Sequence, residues 1–91
     1  MHPIEVLENL VKERLTGITT NITQPFDSRP EIWALDVRAG NKSARVNWLP
    51  PDRFDVIDAK TGVLTQTCEG SLEPRDSPLV RTLVRMLACL R

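Results

Sequence analysis

The central third of the chain is the feature that most constrains its fold. A glycine-asparagine step, Gly40-Asn41, separates two runs in which apolar and polar residues alternate. Such alternation is typical of strands with one buried face, and Gly and Asn tolerate the positive φ angles of a two-residue hairpin turn. The turn fixes the register, which predicts three apolar pairs on one face: Trp33 with Trp48, Leu35 with Val46, and Val37 with Ala44.

The reverse face of this hairpin is mixed in character. The same register sets Asp36 opposite Arg45, a cross-strand pair of opposite charge worth about 0.2 to 1 kcal/mol. A slip by one residue would set polar residues against apolar ones, so pattern and turn chemistry favour the same register. The reverse face carries Ile32, Ala34, Asp36, Arg45, Asn47 and Leu49, and we expect it to be open to water or to a partner.

Two helices are predicted, one on each side of the strand-forming region. In the first, apolar residues recur every three or four positions after Pro3, and Gly17 suits its end. In the second, Ser77 suits the N-cap position and Pro78 the first turn. The apolar stripe of this second helix consists of Leu79, Val80, Leu83, Leu87 and Leu90.

Three further strands are candidates. The segment 18–24 alternates up to Pro25, and the segments 54–57 and 63–68 flank a turn-forming sequence that ends in Gly62. Two successive prolines at 50–51 supply no amide donor, and we expect a corner there. The pattern leaves open whether the second hairpin joins the main sheet, so it predicts three to five strands.

These elements predict a single α+β domain over residues 1–91. The 91-residue length leaves no room for a second domain. Both helices have one apolar stripe and the central hairpin has one apolar face, so packing the helices on that face buries all three. The expected architecture is a two-layer sandwich of an N-terminal helix, an antiparallel sheet and a C-terminal helix.

Residues suited to catalysis are scarce. His2 is the sole histidine, and we expect it to be solvated near the start of the chain. Cys68 and Cys89 have neither zinc-site spacing nor a nearby histidine that would activate a thiol. Asp52, Asp55 and Asp58 lie three apart, which alternates their direction along a strand. We therefore assign no catalytic, cofactor-binding or metal-ligating residue, and an enzyme is the less favoured interpretation.

The charges are balanced overall but unevenly distributed. Twelve basic residues match twelve acidic ones. Residues 52–73 hold five acidic against two basic side chains, whereas residues 75–91 hold four arginines against one aspartate. This split offers an acidic and a basic surface for contact between copies. The candidate interaction residues are Asp36, Arg45 and Asn47 on the sheet, and Arg75, Arg81 and Arg85 at or before the C-terminal helix.

A small non-catalytic module for protein interaction or assembly fits these observations best, and self-association into a homo-oligomer is its plainest form. The alternative is a nucleic-acid-binding module that uses the arginines of the C-terminal helix. The order helix, three strands, helix resembles the layout of double-stranded RNA-binding domains. Those domains carry a lysine-rich cluster where this chain has Ser77-Pro78-Leu79-Val80-Arg81.

We expect a cytoplasmic protein with no membrane partner. The sequence after Met1 lacks the basic and apolar regions of a signal peptide, and no apolar run reaches the length needed to cross a bilayer. Both cysteines are then expected as reduced thiols.

Overall fold

A five-stranded antiparallel sheet forms one layer and two helices form the other. The computed structural model describes residues 2–73 and 76–89. Each strand pairs with the next along the chain, in the spatial order β1-β2-β3-β4-β5. The elements are α1 (Pro3–Arg14), β1 (Thr19–Thr23), β2 (Trp33–Ala39), β3 (Lys42–Leu49), β4 (Arg53–Asp58), β5 (Leu64–Glu69) and α2 (Pro78–Ala88). This arrangement confirms the α+β architecture predicted from the sequence.

The register of the central hairpin is the predicted one. Trp33 pairs with Trp48 and Asp36 pairs with Arg45. Gly40 has a φ of 64°, whereas no described non-glycine residue has a positive φ. Asn41 therefore does not share the left-handed conformation expected of both turn residues. Glycine at the first central position alone is typical of a type II′ turn, which matches the right-handed twist of the strands.

The second hairpin joins the main sheet. Strand β4 pairs with β3 from Leu49 opposite Arg53 onward, so the chain changes direction at residues 50–52, as the two prolines predicted, and the turn returns it to the same sheet. Strand β5 then pairs with β4, with a register shift opposite Val56 and Ile57. The resulting order has two more strands than the double-stranded RNA-binding layout, which removes the likeness noted from the sequence.

The core lies between the helices and one face of the sheet, which we call the helix face. Leu35, Val37 and Val46 are fully buried on this face, and Phe54 of β4 extends it. The helices contribute the apolar stripes that their periodicity predicted, except for Leu90, which lies outside the described residues. Trp33 and Trp48 pack against the edge of this core and remain partly exposed. The core members from the helices and their flanks are Ile4, Leu7, Leu10, Val11, Leu15, Leu72, Leu79, Val80, Leu83 and Leu87.

The opposite face of the sheet, the reverse face, is open over only part of its area. Ala34 and Asn47 are buried, although the alternation of the strands turns them away from the helices, and Ile32, which precedes β2, is buried as well. Ala34 is small and lies in the ladder between Thr23 and Asn47, whose longer side chains flank it. The expectation of a fully open reverse face is therefore wrong at this end, and the open part lies around Asp36 and Arg45.

His2 caps the start of α1 and packs against both tryptophans. Its Nδ1 accepts a hydrogen bond from the Ile4 amide at 3.1 Å, and its own amide donates to Glu5 at 3.0 Å, which completes a capping box. The imidazole stacks on Trp33 with ring centroids 3.9 Å apart and meets the edge of Trp48 at 4.7 Å. The expectation of a solvated His2 is wrong, because the indole pair gives the ring an apolar surface to cover.

Partial burial lowers the pKa of His2 from 6.5, against the opposing attraction of Glu5. The unfolded chain therefore binds a proton at a higher pH than the folded protein does. The stability that the neutral ring contributes is complete above about pH 6.5 and is lost as the pH falls through that value towards the lower folded pKa. Protonation also occupies Nδ1, which then no longer accepts from the Ile4 amide.

Replacement of His2 tests how much its capping of α1 and its contacts with the tryptophans stabilise the fold. His2→Ala is expected to lower the free energy of unfolding by about 0.5 to 2 kcal/mol at neutral pH, as for loss of a helix cap. His2→Asn keeps a capping oxygen but does not titrate. When the pH is lowered from about 7.5 to about 5, the free energy of unfolding of this variant is therefore expected to fall less than that of the wild type. Urea unfolding followed by circular dichroism measures both effects. An equal decline in wild type and His2→Asn would contradict the role of His2.

Candidate interaction surface

The open part of the reverse face centres on one ion pair. Arg45 donates from Nε to Asp36 Oδ1 at 2.7 Å and from Nη2 to Oδ2 at 3.3 Å, a two-point contact between planar groups. The hydrogen bond from Arg45 to Asp36 raises the pKa of the guanidinium. Both side chains remain about one third exposed, so the pair can also meet groups from outside. The structure thus brings together two of the residues singled out from the sequence.

A shallow depression of about 370 Å³ borders this ion pair. Most of its lining residues are polar, and both signs of charge are present, because Asp36 and Arg38 lie among uncharged hydrogen-bonding side chains. A surface of this composition does not strongly favour either a cation or an anion. The lining consists of Thr19, Asn21, Asp36, Val37, Arg38, Ser43 and Ala59.

Asn47, the third sheet residue singled out from the sequence, lies beneath the surface. It is only 7% exposed, and its Oδ1 has no hydrogen-bond partner among the described residues. The Thr23 hydroxyl is likewise buried and has no hydrogen-bond partner among the described residues. Thr23 pairs with Ala34 on β2, which in turn pairs with Asn47 on β3. A side chain buried to this extent is not itself accessible to a partner.

The acidic side chains of β4 and its turns have separate partners. Asp55 accepts from Arg53 Nε at 3.0 Å and from Thr67 Oγ1 at 2.9 Å on the reverse face. Asp58 accepts from the Lys60 amide at 2.8 Å in the β4–β5 turn. Within residues 2–73 and 76–89, no three histidine, cysteine, aspartate or glutamate side chains come together in a way that could hold a metal ion.

Two arginines of the C-terminal segment, Arg81 and Arg85, lie on the other layer of the molecule. Arg81 and Arg85 are exposed on α2, one helical turn apart, and neither forms an ion pair with a residue that the structure describes. Arg75 lies outside the described residues. Because α2 packs on the helix face, the sheet separates Arg81 and Arg85 from Asp36 and Arg45. The six residues singled out from the sequence therefore do not form one surface.

The outer edge of β5, with which no other described strand pairs, is a feature that sequence reasoning missed. Val63 is 61% and Leu64 is 51% exposed, and Leu64 pairs with the half-buried Ile57 on β4. We call Ile57, Val63 and Leu64 the edge patch. From Val63 to Cys68 the chain carries no charge and no proline, which are the devices that usually protect an edge strand. This lack of charge is visible in the sequence, but the position of β5 at the sheet edge is set by topology.

Both thiols are free, but they differ in environment. Cys68 is buried on the helix side of β5 and Cys89 is exposed just after α2. Burial raises the pKa of the Cys68 thiol, although a hydrogen bond with Gln66 acts in the opposite sense. The neutral thiol is therefore the dominant form of Cys68 near pH 7, which suits packing rather than nucleophilic attack.

Comparison with known proteins gives no relative: no protein-family model, no curated protein and no solved structure matches the chain. Among the described residues, no helix combines the length and the apolar character that a membrane crossing requires. The site is therefore interpreted from its own geometry.

The strength of the Asp36–Arg45 pair can be measured in a double-mutant cycle with Asp36→Asn and Arg45→Gln. We expect a coupling free energy of about 0.2 to 1 kcal/mol at low salt, which decreases as salt screens the pair. The matched control is the Arg29–Glu31 pair, which has a similar 2.9 Å contact but lies in an exposed loop. Denaturant unfolding of the single and double variants gives both couplings. If the coupling free energy of Asp36–Arg45 is no larger than that of Arg29–Glu31, the Asp36–Arg45 pair does not stabilise the reverse face as described.

Proposed function

We propose that this protein is a small non-catalytic interaction module that self-associates through strand β5. The observation that carries the proposal is the uncharged outer edge of β5, which no other strand in the described part of the chain covers, together with the half-exposed side chains of Val63 and Leu64. An edge strand presents unpaired amides and carbonyls, which form hydrogen bonds readily with another strand. A second strand placed here would also cover the edge patch.

A second copy of the chain is the partner that this edge suits best. Two β5 strands placed antiparallel are related by a two-fold axis, so each copy offers the other the same donors and acceptors. The strand has no charge before Glu69, so copies of it do not repel one another. The chain as a whole also has no net charge, which removes long-range repulsion between copies.

The size of the patch indicates a weak dimer. Burial of a half-exposed valine or leucine contributes about 1 kcal/mol, and the edge patch supplies only a few such side chains per copy. Backbone hydrogen bonds add to this, whereas association costs at least about 4 kcal/mol in lost translation and rotation. We therefore expect dissociation at micromolar rather than nanomolar concentrations.

A cytoplasmic location is part of the same proposal. The exposed thiol of Cys89 is free, and free exposed thiols are typical of a reducing compartment.

Sedimentation equilibrium or light scattering between about 1 μM and about 1 mM tests the self-association. The wild type is expected to approach twice the 10.3 kDa chain mass as its concentration rises. Leu64→Lys places a charge on the edge of each copy and is expected to weaken association at least about tenfold. Leu64 is half exposed, so this change leaves the core intact.

The matched control puts the same charge on the opposite edge of the sheet. Asn21→Lys lies on β1, which is exposed at that position, and is expected to leave the concentration dependence of the mass unchanged. A wild type that stays at 10.3 kDa throughout, or a Leu64→Lys variant that associates like the wild type, would refute the role of β5.

Nucleic-acid binding through α2 is the second candidate, favoured by the exposure of Arg81 and Arg85 without an ion-pair partner among the described residues. This candidate predicts that a labelled RNA duplex binds at low salt and that affinity falls steeply as salt increases. Fluorescence anisotropy with wild type and with Arg81→Gln plus Arg85→Gln measures it. Absence of binding at low salt, or equal binding by the double variant, would exclude this use of the helix.

A further inference from the structure

A cleft of about 330 Å³ opens between the start of α1 and the segment that follows β5. Its lining is mostly apolar: Pro3 and Val6 come from the start of α1, Leu72 from the segment after β5, and Trp48 and Phe54 from the sheet. The volume lies at the lower end of the range for sites that hold small ligands or single side chains. The remaining lining residues are Pro51, Asp52, Gly70, Ser71 and Glu73.

The far wall of the cleft, residues 70–73, is fixed by hydrogen bonds. The Gly70 amide donates to the Asp52 carbonyl at 3.1 Å, which ties the segment to the β3–β4 turn. Ser77, the N-cap of α2, donates from its hydroxyl to the Ser71 carbonyl at 2.9 Å, and the Glu73 amide donates to Ser71 Oγ at 3.0 Å. A wall held at several points is already in place before a ligand arrives.

The near wall is fixed by His2. Its capping of α1 and its stacking on Trp33 hold Pro3 and Val6 in place, while its contact with Trp48 orients the indole that lines the cleft. Both walls are thus set by contacts within the protein, so binding requires little reordering.

The charge of the lining selects the ligand. Asp52 and Glu73 are exposed carboxylates, and neither forms an ion pair with a described residue. Within residues 2–73 and 76–89, no lysine or arginine lines the cleft. Trp48 adds an indole, whose face attracts cations. An apolar interior beside two carboxylates favours a ligand that is apolar along its body and positively charged next to it.

We propose that this cleft binds a peptide segment of a protein partner in which an apolar side chain is adjacent to arginine or lysine. The apolar side chain enters between Val6 and Leu72, and the neighbouring cation lies between Asp52 and Glu73. The site is separate from β5, so it does not rest on the self-association proposed above.

Titration with short peptides, followed by NMR, tests this site. The probe is the acetylated and amidated hexapeptide GLRLRG, and its matched forms GLELEG and GSRSRG lack the positive charge and the apolar side chains respectively. We expect GLRLRG alone to shift the Trp48 indole signal and the amides of residues 70–73, with a dissociation constant of about 0.1 to 1 mM for so short a peptide. The titration is done in wild type and in Leu64→Lys, and the same result is expected in both.

Removal of the two carboxylates provides the decisive comparison. Asp52→Asn plus Glu73→Gln is expected to weaken binding of GLRLRG at least about tenfold. The control, Asp27→Asn plus Glu31→Gln, removes the same charge from the exposed segment 26–31 and is expected to bind like wild type. The proposal is overturned if GLRLRG causes no shift of the Trp48 indole signal or if GLELEG binds equally well. It is also overturned if the signals of the cleft residues shift with protein concentration alone, because that result would identify a second copy of the chain as the occupant.

Discussion

The pairing of Trp33 with Trp48 on the helix face is the constraint on which the rest of this structure depends. It follows from the register set at Gly40, and it places a broad apolar surface where α1 begins. His2 covers that surface and caps the helix with the same ring. One register thereby determines which sheet face is buried, how α1 is anchored and where the cleft beside Trp48 lies.

Local sequence information was sufficient for the central hairpin, because turn chemistry and alternation act over a few neighbouring residues. The Asp36–Arg45 pair could be predicted for the same reason. The burial of Asn47 could not, since it depends on the neighbours that pack around Ala34. Nor could the role of His2, because its stacking partners are distant in sequence. The edge position of β5 required the full strand order, which the alternating pattern left open.

The surface of the molecule divides into regions of different chemistry. The reverse face carries balanced, mutually paired charge around Asp36 and Arg45. The edge patch is apolar and uncharged, and it suits a symmetric contact with another copy. The cleft beside Trp48 combines apolar walls with two carboxylates, and α2 presents Arg81 and Arg85 to solvent. The edge patch and the cleft share no residues, so the two proposed contacts do not exclude one another.

The most direct measurement of the central claim is amide hydrogen exchange at the two sheet edges as a function of protein concentration. Self-association through β5 predicts that amides between Leu64 and Glu69 exchange more slowly as concentration rises, while amides between Thr19 and Thr23 on β1 do not change. Exchange at β5 that is independent of concentration, or slowing that occurs at β1 instead, would contradict the account.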